Sequence, residues 1–229
     1  MRDLALRLCG MIAGVLVDLW PQFGLIIMTP RLELRLPREE EIVALAEVAA
    51  RGVHRPDERP FLTPWTDGTP QERARIVLRD HWDQLAGWSI DSWRLGFGVF
   101  RQGEPLGAVT LRARDFVVVR EVATSSWLGL DYHGHGFGTE ARVGLLTLAF
   151  EHLGAVAART EAFQDNHASQ GVSRKLGYQP DGLSVDARGS ERVVSDRLRL
   201  TRDNWTGWSQ RPEVTVKGFP ACREMLGLR

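Results

Sequence analysis

Between Trp127 and Glu140 the chain runs Trp-Leu-Gly-Leu-Asp-Tyr-His-Gly-His-Gly-Phe-Gly-Thr-Glu, with Gly134, Gly136 and Gly138 alternating just ahead of a helical pattern. Such residues are suited to binding an anion. Glycines let the backbone approach a phosphate closely, successive N–H groups converge on one point, and the positive end of a helix dipole beginning at Thr139 adds to the attraction. The spacing is not Gly-x-Gly-x-x-Gly, and neither Lys-Ser nor Lys-Thr follows the last glycine, so both mononucleotide and dinucleotide loops fit poorly. A pyrophosphate group is the ligand class that remains.

A second cluster lies downstream, Asn166-His-Ala-Ser169-Gln-Gly-Val-Ser173-Arg-Lys175-Leu-Gly177-Tyr178. On one helix, Asn166, Ser169 and Ser173 fall at i, i+3 and i+7. Their polar groups are expected to share a face, with Ala168, Val172 and Leu176 packing inward. Asn166 also suits a plain helix N-cap.

Together the two clusters carry a resemblance. His133-Gly-His-Gly136-Phe-Gly138 resembles the Arg/Gln-x-x-Gly-x-Gly/Ala acyl-CoA loop of the GNAT acyltransferases, with His133 at the usual first position. The stretch from Asn166 to Tyr178 is similar to the Asn-x-x-Ser…Lys-x-Gly-Phe/Tyr signature of the subgroup that modifies ribosomal protein N-termini. The resemblance implies the GNAT fold, an α/β (α+β) architecture with a mixed, mostly antiparallel sheet flanked by helices. It also implies transfer of an acetyl or succinyl group from CoA to a primary amine by direct attack on the thioester. Leu128 and Leu130 would offer backbone groups to the acyl carbonyl and pantetheine, while His133, Gly134, His135, Gly136, Phe137, Gly138 and Thr139 would hold the pyrophosphate. Asn166 and Ser173 would lie along the pantetheine arm, and Ser169 would protonate the leaving thiolate. A narrower likeness, in His54-x-Pro56, Pro60-Phe61, Pro64-Trp-Thr66, Trp127-Leu-Gly-Leu130 and Leu200-Thr-Arg-Asp203, is to an actinobacterial subgroup that includes a mycobacterial succinyl-CoA-using enzyme. A succinyl donor needs a cation for its free carboxylate, with Arg112, Arg114 and Arg120 as candidates.

The reaction requires a neutral amine. An α-amino group of pKa ~8 is about 10% neutral at pH 7, whereas a lysine needs about 3 kcal/mol more to deprotonate. No general base is evident: Arg188 stands where relatives carry a carboxylate, and Asp115, Glu121, Asp186 and Glu191 are the carboxylates near strand ends.

The elements that must position these groups can be read in order. Leu32, Leu34 and Leu36 alternate with charges as in a strand, and helices are expected over Glu39 to Arg51 and Gln71 to Ala86. Between them a connector from Gly52 to Pro70, with Pro56, Pro60 and Pro64 beside Phe61 and Trp65, reads equally as a packed loop or a substrate-site wall. Trp93 to Arg101 and Leu106 to Arg112 form a hairpin through Gln102 and Gly103, and Phe116 to Val119 and Ala123 to Leu130 extend the sheet. After the glycine loop come a helix ending at Gly154, a strand from Ala155 to Phe163, a helix stopped by Gly177, and two last strands. Domain limits are expected at 1–28 for an N-terminal extension, 29–205 for the acyltransferase domain, and 206–229 for a tail packed on that domain or on a partner subunit.

Composition narrows the alternatives. Twenty-nine basic residues balance 29 acidic ones in the 229, so no global field draws polyanions and nucleic acid is not expected as a partner. Leu4 to Trp20 is apolar but broken by Arg7 and Asp18 and is too short to cross a bilayer of ~30 Å, so no membrane anchor is expected. Cys9 and Cys222 have no redox or zinc spacing, and His133, His135, His152 and His167 lie on different elements, so no metal is expected and a cytoplasmic setting follows. His135 is better placed as a phosphate neighbour. Trp65, Trp82, Trp88 and Trp93 could cap an acceptor pocket. Two rival functions share this pattern: a module that binds acyl-CoA without transfer, and an acyltransferase whose acceptor is a small molecule rather than a protein N-terminus. A homodimer is what the family implies.

Overall fold

The computed structural model describes residues 14–209 and 211–228; Cys9 and the apolar run as far as Ala13 lie outside them. Nine strands form one sheet in the order β7-β8-β6-β5-β4-β3-β2-β1-β9. They are β1 (Ile26–Met28), β2 (Glu33–Arg35), β3 (Ser92–Arg101), β4 (Glu104–Arg114), β5 (Glu121–Leu128), β6 (Ala157–Phe163), β7 (Gln179–Arg188), β8 (Glu191–Thr201) and β9 (Thr215–Lys217). β5 and β6 pair in parallel and the other neighbours are antiparallel, which is the mixed, mostly antiparallel sheet of the GNAT fold.

Strand alternation divides the sheet into two unlike faces. On β3, Trp93, Leu95, Phe97 and Val99 point into the main core, packed under the helix α4 (Phe137–Thr147) and its π-helical extension Leu148–Leu153. Fully burying each such side chain contributes about 1.5–3 kcal/mol. The opposite face carries Arg94, Gly96 and Gly98 on β3, and here α1 (Glu39–Arg51) and α2 (Pro70–Ala86) close in. The glycines set how near they come. A Cβ on Gly96 would sit 2.1 Å from Gln84 Oε1 of α2, and one on Gly98 would sit 2.9 Å from Leu45 Cδ1 of α1. Phe100, next on this face after Gly98, joins Ile42, Leu45, Ala46, Ala49, Val53 and Val77 in a second core.

Two sequence expectations change. Phe116–Val119 is not a strand but a single helical turn, α3, flanked by Asp115 and Arg120 in the left-handed region; Phe116 is buried while the three valines face out. The sheet also begins before residue 29, because β1 pairs with β2. The tail joins the same body: β9 pairs with β1, and Phe219, Cys222 and Leu226 enter the main core. A short helix α6 (Arg202–Gly207) precedes it, and α7 (Phe219–Cys222) lies within it.

Burial pushes the Cys222 thiol up to about 11. At pH 8 the native protein should therefore leave Cys222 unmodified by iodoacetamide, with labelling appearing only in denaturant; peptide mass mapping reads this residue separately from Cys9.

Candidate active site

The parallel pairing of β5 with β6 lasts only from Glu121–Ala157 to Ala123–Arg159, and the two strands then separate. At the last rung, side chains replace the ladder. Thr124 Oγ1 donates to Arg159 O at 3.4 Å, and Thr160 Oγ1 donates to Thr124 O at 3.1 Å. Beneath lie Tyr178, whose hydroxyl is 3.2 Å from Thr124 Oγ1, and the buried Arg142. Beyond this point the edge of β5 toward β6 is open, and the glycine loop and α4 stand at its end.

In the loop, Gly134 and Gly136 have φ of 79° and 80°, conformations that cost any residue with a Cβ about 1 kcal/mol or more. The N–H groups of Gly134, His135 and Gly136 meet no protein acceptor among the described residues. Phe137, Gly138 and Thr139 head α4, whose N-cap Gly136 supplies no side-chain cap. Six consecutive residues thus present amides at a positive dipole end. Their brace is a residue outside the sequence expectation. Arg31 bonds His135 O at 3.2 Å and Glu140 Oε2 at 2.6 Å, and its guanidinium lies over the Phe137 ring at 4.7 Å. Glu140, largely buried, also accepts from Thr29 Oγ1 at 2.7 Å. Arg101 lies over the same ring at 5.4 Å. Both arginines are distant from the loop in sequence and lack a motif, so only the folded neighbourhood reveals them.

The other expected residues are less uniform. Leu128 and Leu130 flank the end of β5, but Leu130 N–H donates to Gly52 O at 3.0 Å and its carbonyl accepts from His133 N at 3.1 Å. His133 Nε2 lies 3.1 Å from Leu128 O. Asn166 caps α5 (His167–Lys175), its Oδ1 accepting from Ser169 N at 3.0 Å and its Nδ2 reaching Pro60 O at 3.5 Å. Ser169 is half-buried in the first turn with no side-chain partner among the described residues. The shared polar face is corrected: Ser173 is buried at 1% exposure with its hydroxyl unpartnered, and Ala168 is exposed. Asn166 sits outside the helix at φ −79°, ψ 73°, so a face counted from it is out of phase; Ser169 and Ser173, four apart, run from the site's edge into the core.

On the α1/α2 face the open strands border a cleft of about 490 Å³. Its walls include Pro60, Phe61 and Trp65 of the connector, and its floor Thr110, Ser125 and Trp127. The connector is therefore a wall, held by Trp65 against Trp127 at 5.7 Å and by Arg188, which reaches across from the β7–β8 hairpin to Asp67 at 3.0 Å. Of the four tryptophans expected at the pocket, Trp65 alone lines it. Trp93 is core, Trp88 stacks on Trp93 at 6.2 Å, and Trp82 is exposed outside the lining.

Among the carboxylates named from sequence, Glu121 lies at the opposite end of β5, ion-paired to Arg199 at 2.7 Å, and Asp115 adjoins the same end. Asp186 and Glu191 are on the hairpin outside the cleft lining. Three acid–base groups not named then do line it, Glu161 on β6 and Asp80 and His81 on α2, with Asp80 bonded to Arg94 and Gln84. Burial lowers the His81 pKa, opposed by the nearby Asp80 carboxylate, which favours the neutral imidazole. Alternation on β6 predicts Glu161 facing out with Arg159, a cue available in sequence. Of the three arginines named for a succinyl carboxylate, Arg112 lines the cleft, level with Ala123 five residues from Leu128, while Arg114 is outside the lining and Arg120 packs on Phe116. No three His, Cys, Asp or Glu among the described residues are grouped to hold a metal.

Residues 31–179 match the model of the Acetyltransferase (GNAT) domain. Among solved structures, the chain is similar to a protein from Vibrio cholerae described as a ribosomal-protein-serine acetyltransferase, at 20% identity and TM-score 0.59 over 77% of this chain and 97% of that one. It is similar to a protein from T. thermophilus described as an acetyltransferase, at 20% identity and TM-score 0.62, covering 80% and 92%. RimL, the ribosomal L7/L12 alpha-N-protein acetyltransferase, in complex with coenzyme A, aligns at 17% identity and TM-score 0.60 over 78% and 99%. At these identities the likeness establishes the fold.

Proposed function

The chain belongs to the GNAT acetyltransferase family, and we propose that it moves an acyl group from acyl-CoA to the α-amino group of a protein N-terminus. The observation that carries this reading is the glycine loop with its unpartnered amides at the head of α4, beside the open edge of β5, whose Ser125, Ser126 and Trp127 line the cleft. The pyrophosphate is held at Gly134 to Thr139, with Arg31 and Arg101 adding positive charge. The pantetheine arm follows the edge of β5 past Leu128, bringing the thioester to the cleft. The amine enters past Phe61 and Trp65, and Glu161 takes its proton. The nitrogen attacks the thioester carbonyl carbon, the C–N bond forms, the C–S bond breaks, and the thiolate takes a proton from Ser169, whose hydroxyl regains one from solvent as Glu161 releases the amine's proton there. Acetyl is the donor we assign, in line with the description of the similar structures as acetyltransferases. The descriptions of two similar structures, naming ribosomal-protein acetylation, agree with a protein N-terminus as acceptor.

Calorimetric titration with CoA, acetyl-CoA and succinyl-CoA, followed by thiol release with N-terminal peptides and small amines, tests this reading. Acetyl-CoA-dependent release with peptides is expected. Preference for succinyl-CoA would transfer the assignment to the succinyl donor, binding without release would make the chain an acyl-CoA-binding module, and absence of binding would overturn the whole proposal. Ser169→Ala should lower kcat about 10–100-fold while leaving acetyl-CoA affinity unchanged, as for loss of a proton donor that acts in the transition state.

A further inference from the structure

Strand register places a row of arginines across the cleft face of the sheet. Arg94 of β3 is directly opposite Arg112 of β4, Arg112 is opposite Ala123 of β5, Ala123 pairs with Arg159 of β6, and Arg159 with Arg199 of β8. Like charges on adjacent strands destabilise a sheet unless something compensates them. Three of the four have a carboxylate. Arg94 bonds Asp80 at 3.1 Å, while Arg159 and Arg199 share Glu121 at 2.5 and 2.7 Å. Arg112 makes no ion pair among the described residues, yet it is exposed and lines the cleft. The other ionisable groups lining the cleft are Asp80, already engaged by Arg94 and Gln84, the neutral-leaning His81, and Glu161.

The cleft thus carries charges of opposite sign at Glu161 and Arg112. Glu161 lies on β6 beside the gap, two residues beyond Arg159, and Arg112 lies on β4 four residues from Ala108, the partner of Trp127. Arg112 is level with Ala123 and so with Arg159, which puts Glu161 about 7 Å along the strands at ~3.4 Å per residue and about 10 Å across two strand spacings, about 12 Å in all. An extended peptide whose amine sits beside Glu161 places its third to fifth residues at that distance, at ~3.3–3.6 Å each. We propose that this cleft selects acceptor N-termini that carry an acidic side chain at about the third to fifth residue, held by Arg112. The ammonium meets the carboxylate end and the acidic side chain the guanidinium end. This rests on the reading of the chain as a protein N-terminal acyltransferase.

Three short peptides, identical except for Asp, Asn or Lys at the third to fifth positions, test it with the full-length protein and acetyl-CoA. The wild type should give kcat/KM in the order Asp, Asn, Lys, with Asp over Asn by about fivefold at low ionic strength. That ratio should approach unity near 1 M salt, where screening acts within ~3 Å. Arg112→Glu should invert the order, favouring Lys over Asp, a change that a merely destabilised protein would not produce. Equal rates for Asp and Asn in the wild type, or an unchanged order in Arg112→Glu, would overturn the selection while leaving N-terminal acyl transfer in place. Thiol release with small amines but with none of the peptides would overturn both.

Discussion

Gly136→Glu should weaken coenzyme A binding at least about 100-fold, which corresponds to about 2.7 kcal/mol. Two costs act together. Gly136 occupies the left-handed region at φ 80°, where a Cβ costs about 1–2 kcal/mol. The new carboxylate would also stand at the head of α4, where the pyrophosphate is proposed to sit; two charges 4 Å apart at an effective dielectric near 20 repel by about 4 kcal/mol. Gly136→Ala separates the costs. Its Cβ would meet only Arg31 Nη2, at 3.5 Å, so it adds backbone strain without the repulsion and should bind several-fold more tightly than the Glu variant. Calorimetry on both variants, with thermal melting to verify that each is folded, gives the comparison. Unchanged affinity in Gly136→Glu would remove the loop from the donor site.

The loop was legible because its chemistry is local. Alternating glycines followed by a helix place consecutive amides together whatever surrounds them. The sheet was legible for a similar reason: Trp93, Leu95, Phe97 and Val99 alternate with Arg94, Gly96 and Gly98, and the strand buries the first set as that period requires. What sequence did not disclose depends on distant partners. Arg31 supports the loop through Glu140, more than a hundred residues away. Arg112 carries no motif, and only the pairing of β4 with β5 sets its level in the sheet and brings it to the cleft. Phe116–Val119 carries strand-forming residues, but left-handed residues at both ends and the burial of Phe116 against Trp93 at 5.7 Å hold it as one helical turn. The α5 face was out of phase because Asn166 caps the helix rather than belonging to it. The short Arg188 bridge to Asp67 likewise explains why an arginine, not a carboxylate, occupies the hairpin: it fastens the connector over the cleft.

Glu161→Gln should lower kcat/KM for a peptide N-terminus by about 100–1000-fold at pH 7, the range expected when a positioned base is lost. The substitution keeps shape and removes only the ability to take a proton. Glu161 lines the cleft on β6 just where β5 and β6 have parted, so its carboxylate is on the side from which an amine approaches the proposed thioester position. About 10% of an α-amine of pKa ~8 is neutral at pH 7 without assistance, so pre-equilibrium deprotonation accounts for only about tenfold. A larger defect therefore means that the carboxylate accepts the proton as the C–N bond forms. Raising the pH through 8–9 fills the neutral amine pool and should narrow the gap between variant and wild type toward the part owed to transition-state proton transfer. His81→Gln is the decisive comparison, because the neutral-leaning imidazole of His81 lines the same cleft from α2. Full pH–rate profiles of the two variants distinguish them. A large loss in Glu161→Gln with a small one in His81→Gln supports β6 as the source of the base; the reverse pattern moves the base to α2 and leaves Glu161 to attract the ammonium.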